Sequence, residues 1–268
     1  MPNTLAAFSN GDFVSGSRNG SIIIWDTNKV KRILTAGQKC CINDLIVYDD
    51  NCVISASDKN IQIWNVSKGR IDLTLNGHYQ KVKALKVLEN GDLVSASADK
   101  TIKIWNKDNG RAIRTLIGHT DEVWALALLD NGDLVSGSCD TSIIIWDFAT
   151  GKMKMALNGH NDYITRLTLL PNGDLVSGSD DCTIKIWNIE DGSVKRTLKG
   201  HENFVSALKV LDNGDLVSGS KDGAINIWNV ETGIVKKQAK LGSSINSLEA
   251  MKNGDLISVS DVSIIIWE

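Results

Sequence analysis

The chain has 268 residues, 42% hydrophobic and 23% charged, with 23 glycines and 2 prolines, the proportions of a soluble folded protein and not of a disordered, collagen-like or membrane chain. Its 29 basic and 32 acidic side chains leave a net charge of −3 without any basic run, which speaks against nucleic acid as a partner, since a phosphate-backbone binder carries an electropositive footprint. No apolar stretch approaches the roughly 18 residues of a membrane span, and the opening MPNTLAAFSNGDFVSGS lacks the basic flank and apolar run of an export signal, so the expected setting is cytoplasmic or nuclear, away from the membrane.

Isoleucine precedes Trp25, Trp64, Trp105, Trp146, Trp187, Trp228 and Trp267, at spacings of 39, 41, 41, 41, 41 and 39 residues. A period near 41 marks a tandem repeat, and the units fall at about 1–36, 43–76, 82–117, 123–158, 164–199, 205–240 and 245–268. In the first unit Asn10-Gly11 supplies a turn, and Asn19 stands where later units have aspartate. The second departs furthest, with Asp50-Asn51 in place of Asn-Gly and Gln38 where a histidine belongs. In the third, strands at 82–88 and 93–97 flank Asn90-Gly91, a dipeptide suited to a tight hairpin because both its residues tolerate positive φ. Asp99-Lys100 then turns the chain into 101–105, and 111–117 gives a fourth strand before Gly118-His119. The pattern NGDLVSGSxDxTIKIWN recurs nearly intact at 90–106, 131–147, 172–188 and 213–229. The seventh unit offers three strands, 245–251, 256–260 and 262–267. No segment carries a helical apolar period, which removes TIM-barrel and helical-solenoid alternatives.

Gly-His in one loop, Ser-x-Asp after the second strand and Ile-Trp-Asn or Ile-Trp-Asp ending the third together resemble the WD-repeat signature over essentially the whole chain. The resemblance implies an all-β fold, a seven-bladed β-propeller with four-stranded antiparallel blades. The first tryptophan stands at position 25 and not near 41, so the first unit is 16 residues short. The last blade is therefore expected to lack its outer strand and to leave VSIIIW as an open apolar edge. A partner strand, a homodimer copy or an upstream segment is the expected cover.

Four units contain a full tetrad: His78, Ser95, Asp99, Trp105; His119, Ser136, Asp140, Trp146; His160, Ser177, Asp181, Trp187; and His201, Ser218, Asp222, Trp228. Ser, His and Asp invite a hydrolase reading, but no GxSxG-type elbow presents a serine, and four equivalent copies suit a repeated structural device. The resemblance implies a buried network in which the histidine links aspartate to serine and the serine lies near the indole N–H. All four histidines are then occupied. Five cysteines (Cys40, Cys41, Cys52, Cys139, Cys182) form no CxxC pair, so no disulfide framework, metal site, cofactor or catalytic residue is expected. Blades 7, 1 and 2, short of full tetrads, should be the less cross-linked arc.

The resemblance also places partner docking on the narrow face, where the Gly-His loops lie. Flanking the first strand of successive units stand Cys41 and Asn43, Lys81 and Lys83, Glu122 and Trp124, Tyr163 and Thr165, Phe204 and Ser206, and Ser244 and Asn246, while Arg18, Cys139, Asp180 and Lys221 precede the turn. Trp124 is the one tryptophan outside the Ile-Trp series. It is read as a partner anchor with Tyr163 and Phe204, its alternative being a ring that fills the gap between blades 3 and 4. Lys81, Glu122, Asp180 and Lys221 form a mixed-charge rim. The expected function is a non-catalytic protein-interaction scaffold or substrate receptor for a protein or peptide, ahead of a nucleic-acid-associated subunit and, last, a serine hydrolase.

Overall fold

The computed structural model describes residues 2–26, 29–35 and 40–267; Gln38 lies outside them. The strands form antiparallel sheets in chain order: β1 (Pro2–Ala7) to β4 (Lys29–Thr35), β5 (Ile42–Asp49) to β8 (Arg70–Leu75), β9 (Val82–Val87) to β12 (Ala112–Ile117), β13 (Val123–Leu128) to β16 (Lys152–Leu157), β17 (Ile164–Leu169) to β20 (Val194–Lys199), β21 (Val205–Val210) to β24 (Ile234–Lys240), and β25 (Ile245–Ala250) to β27 (Ile264–Trp267). This is the seven-bladed propeller, with six four-stranded blades and a last blade of three strands among the described residues. The first strand of each blade lies at the axis. There β1 packs against both β5 and β25 and so closes the ring.

The Asn-Gly turns come where expected, with a different geometry. Gly91 is left-handed at φ 84°, but Asn90 is not. Asn90 acts through its side chain, whose Oδ1 accepts the Asp92 N–H at 3.0 Å, while Leu88 and Asp92 close the loop by a backbone bond of 2.9 Å. The loop is thus longer than a two-residue hairpin, and only its glycine needs conformational freedom.

The core lies between blades. Val94, Ile102, Ile104 and Leu116 of the third blade pack on Val123, Leu126, Ile144 and Trp146 of the fourth, and Leu5 and Phe13 pack on Met251, Ile257 and Val259 where the ring closes. Apolar faces of neighbouring sheets thus bury each other, so a blade has no core of its own. At every seam but the ring-closing one, where Val259 stands, a small residue of one blade's second strand meets the first residue of the next blade's axial strand. Ala56 shares a cluster with Val82, and Ala96 with Val123. At Gly16, Gly137 and Gly219 the opposing residue is the bulkier Ile42, Ile164 or Ile245, and a Cβ on any of these glycines would lie 2.4–2.5 Å from the isoleucine methyl.

In the last blade β27 is shorter than the sequence suggests, because 262–263 belong to the turn. It pairs with β26 (Leu256–Ser260) on one side. Its other edge faces no strand among the described residues.

Candidate functional site

The four tetrads are assembled as the resemblance implies. His119 Nδ1 lies 2.9 Å from Asp140 Oδ2, His119 Nε2 lies 2.7 Å from Ser136 Oγ, and Trp146 Nε1 donates to the same oxygen at 2.8 Å. The other three sets repeat this with His–Asp separations of 2.8, 2.7 and 3.1 Å. One tautomer satisfies every group: Nδ1–H donates to the carboxylate, Nε2 accepts the serine O–H, and the serine oxygen accepts the indole N–H. Bond polarity therefore matches that of a Ser-His-Asp triad, yet Ser95, Ser136, Ser177 and Ser218 are 0% exposed. An oxygen that is sealed from solvent and already accepts the indole N–H cannot meet a substrate.

A fifth member escaped sequence reading. The hydroxyls of Thr101, Ser142 and Thr183 donate to Oδ1 of the turn aspartates at 2.6 Å, but at the start of a β-branched strand they look like ordinary strand formers. The sixth blade has Ala224 there, and its aspartate accepts only backbone N–H groups and His201. Burial alone would push Asp99, Asp140 and Asp181 up; the combined histidine, hydroxyl and backbone hydrogen bonds outweigh it and hold all three below the usual carboxylate range. In blades 1, 2 and 7 the indole–serine half survives, at 2.8 Å each for Trp25–Ser15, Trp64–Ser55 and Trp267–Ser258.

On the narrow face the structure gathers Glu122, Trp124 and Tyr163. Trp124 Nε1 donates to Glu122 Oε2 at 2.8 Å, and the Tyr163 ring meets the indole edge-on at 5.9 Å. Lys83 joins them, with Nζ 3.1 Å from Glu122 and 4.6 Å from the Trp124 ring centroid. Trp124 itself is half-buried, whereas Tyr163 is 40% and Phe204 44% exposed. Phe204 stands apart and forms no ring pair among the described residues. Tyr79, directly after a tetrad histidine, is the most exposed aromatic at 86%; only its loop position could have flagged it. Lys81 is exposed. Cys139 is buried at 6%, its thiol pushed up to about 12 by burial and by the Glu122 and Asp121 carboxylates, so it offers no side-chain surface.

The variable polar residues at the Trp124 register have a structural task. Asn3 donates to the Ile42 carbonyl at 3.0 Å and Asn43 to that of Val82 at 2.8 Å, while Thr165 and Ser206 donate to Val205 and Ile245. Each ties its blade to the next. Asn246 donates instead to Asp261 of its own blade, and Lys83 and Trp124 make no such tie, their seams carrying the Lys83–Glu122–Trp124 group in its place.

The model of the WD domain, G-beta repeat, matches residues 3–26, 28–65, 69–106, 110–147, 151–188 and 192–229. The chain belongs to the WD40 family. The crystal structure of the WD40 beta propeller domain of Doa1 superposes with a TM-score of 0.87 at 28% identity, covering 99% of this chain and 91% of that one. Autophagy-related protein 16 of Arabidopsis thaliana is 34% identical over 83 residues, 30% of this chain and 16% of that protein. The chain thus spans under a fifth of the curated relative it matches. WD40 propellers are in general scaffolds that bind protein partners.

Among the described residues of this WD40 chain no three His, Cys, Asp or Glu side chains cluster as metal ligands, and no helix is long and apolar enough to cross a membrane. Asp180, one of the residues expected at the rim, is a titratable group with a shifted pKa. Burial, helped by Asp162 and opposed by Arg166 and Lys221, raises Asp180 to about 6. A folded pKa above the roughly 3.9 of a solvated aspartate makes this group destabilising at neutral pH, and its contribution improves as pH falls through 6 toward 4. Asp180→Asn is therefore expected to raise stability at about pH 7 by on the order of 1 kcal/mol. Melting temperatures measured from about pH 5 to 8 should show wild type and variant converging toward the acid end; a gap that stays constant would contradict this.

Proposed function

We propose that this WD40 propeller is a non-catalytic interaction scaffold or substrate receptor that takes a protein or peptide on its narrow face. The observation that carries this reading is the exposed Tyr163 ring set edge-on against an indole whose orientation is fixed by Glu122 and Lys83, with the exposed Phe204 ring at the matching position of the next blade. Aromatic anchors beside an already ordered support are what a docking patch requires, because little side-chain entropy remains to be lost on binding. Trp124 is the floor of the patch and Tyr163 and Phe204 its contacts. Lys81, Asp180 and Lys221 form a rim of both signs. Cys139 is left out because it is buried. An amphipathic partner matches this mixture better than a phosphate chain does, and the net charge of −3 supports the same choice. Five free thiols suit an intracellular setting.

The test is capture of partners from native lysate, followed by affinity measurements on the purified pair. Tyr163→Ala and Phe204→Ala, checked for unchanged melting, should each weaken binding by about 2 kcal/mol, whereas Lys221→Ala should mainly slow association. If Trp124→Ala, Tyr163→Ala and Phe204→Ala all bind the partner as tightly as wild type, docking lies elsewhere on the disc.

A further inference from the structure

The channel along the propeller axis holds a cavity of about 390 Å³, lined by the axial strands, large enough for a small molecule and too narrow for a folded domain. Its wall is mostly small or aliphatic. At the third position of the axial strands stand Thr4, Ala84, Ala125, Ala207 and Ser247, and the two exceptions are charged: Asp44 on β5 and Arg166 on β17. Two positions further on, Lys86, Lys209 and Glu249 enter the same space.

These charges are unequally compensated. Lys209 pairs with Glu249, and Lys83 near the mouth pairs with Glu122. The Asp44 carboxylate accepts two backbone N–H groups, from Leu85 at 2.7 Å and Leu45 at 3.0 Å. Arg166 spends one N–H on the Thr165 carbonyl at 2.7 Å; its remaining donors have no hydrogen-bond partner among the described residues. Lys86 has neither a hydrogen bond nor an ion pair among them. Two cations on different blades thus face a confined space with donors to spare. The guanidinium is suited to a group with two oxygens in one plane, and the ammonium adds a second point of charge. Partial enclosure strengthens both attractions relative to open solvent.

We propose that the channel is a binding site for a small, doubly charged oxyanion of the phosphate class, held between Arg166 and Lys86, independent of any partner on the narrow face. Asp44 is the opposing group. Its carboxylate feels both cations, and it sets a limit on affinity that a neutral side chain would lift.

Titration calorimetry with pyrophosphate at constant ionic strength tests the proposal on the full chain. Wild type is expected to bind one equivalent saturably. Arg166→Gln and Lys86→Gln should each raise Kd about tenfold or more, and Asp44→Asn should lower it several-fold. Lys237→Gln on the outer strand should leave it unchanged. Lys86 is exposed to the channel, so its variant is expected to keep the wild-type melting temperature and to report on binding even if Arg166→Gln folds poorly. Absence of saturable binding by wild type, equal affinity in Lys86→Gln, or weaker binding in Asp44→Asn would each overturn the assignment. Inorganic phosphate in a parallel titration separates a site for a free ion, which takes both probes, from one shaped for a diphosphate, which takes only the larger.

Discussion

Asp140→Ala is expected to lower the unfolding free energy by about 3 kcal/mol, because several groups lose their acceptor together and a stranded buried donor costs about 1–3 kcal/mol. The carboxylate accepts His119 Nδ1–H at 2.9 Å, the Ser142 hydroxyl at 2.6 Å, and backbone N–H groups of Thr120 and Ser142 at 2.8 and 3.0 Å. Water can reach Thr120, which is exposed, but not the 1%-exposed imidazole of His119. Asp222→Ala should cost less, since Ala224 brings no hydroxyl and its His–Asp contact is longer, at 3.1 Å. The same carboxylates predict acid lability. Asp99, Asp140 and Asp181 sit below the roughly 3.9 of a solvated aspartate, so their stabilisation is present above about pH 4 and is lost as pH falls from there toward the folded values. Urea unfolding of wild type and Asp140→Ala at about pH 7 and pH 3 should show the difference between them shrinking in acid. A variant as stable as wild type at neutral pH would remove the structural role assigned to the tetrad.

How much of this was legible in the sequence depended on whether a residue's task repeats. The His78, Ser95, Asp99 and Trp105 set recurs in four blades, so the repeat could be read from its period, and the network from the WD-repeat resemblance that the recurring residues carry. The Asn90-Gly91 turn was located correctly but given the wrong geometry, because a turn dipeptide does not reveal that asparagine works through its side chain. The three strands of the last blade among the described residues match the three that the seventh unit offers in the sequence. Asn43, Thr165 and Ser206 looked variable and therefore available, yet they share one task that three different side chains can perform, namely donating to a carbonyl on the next blade. Lys83 was marked only as one of the variable flanking positions; its importance comes from Glu122 and Trp124, some forty residues away. Asp44 and Arg166 occur once each and are brought together only when the ring closes, which no repeat pattern can announce.

The pairing of small and large residues across the seams gives the sharpest remaining prediction. Gly137→Ala is expected to destabilise by about 1–3 kcal/mol, the usual cost of overpacking a filled core, because the added Cβ would lie 2.4 Å from Ile164 Cγ2 and 2.9 Å from its Cβ. Gly137 has no positive φ, so backbone strain does not contribute and the cost is steric. Two blades earlier the same seam is filled by Ala56 against Val82, and one blade earlier by Ala96 against Val123, all four side chains buried. Nature thus places alanine opposite valine and glycine opposite isoleucine, except at Gly178, which faces Val205 with its would-be Cβ 2.7 Å from a methyl. Ile164→Val alone should cost about 0.5–1.5 kcal/mol by opening a methyl-sized gap. Combined with Gly137→Ala it should recover most of the loss, since the double variant reproduces the third-to-fourth blade seam, and the coupling energy should be favourable by about 1 kcal/mol or more. Strict additivity of the two changes in a double-mutant cycle of chemical unfolding would show that the seam relaxes freely and that the pairing of sizes carries no energy.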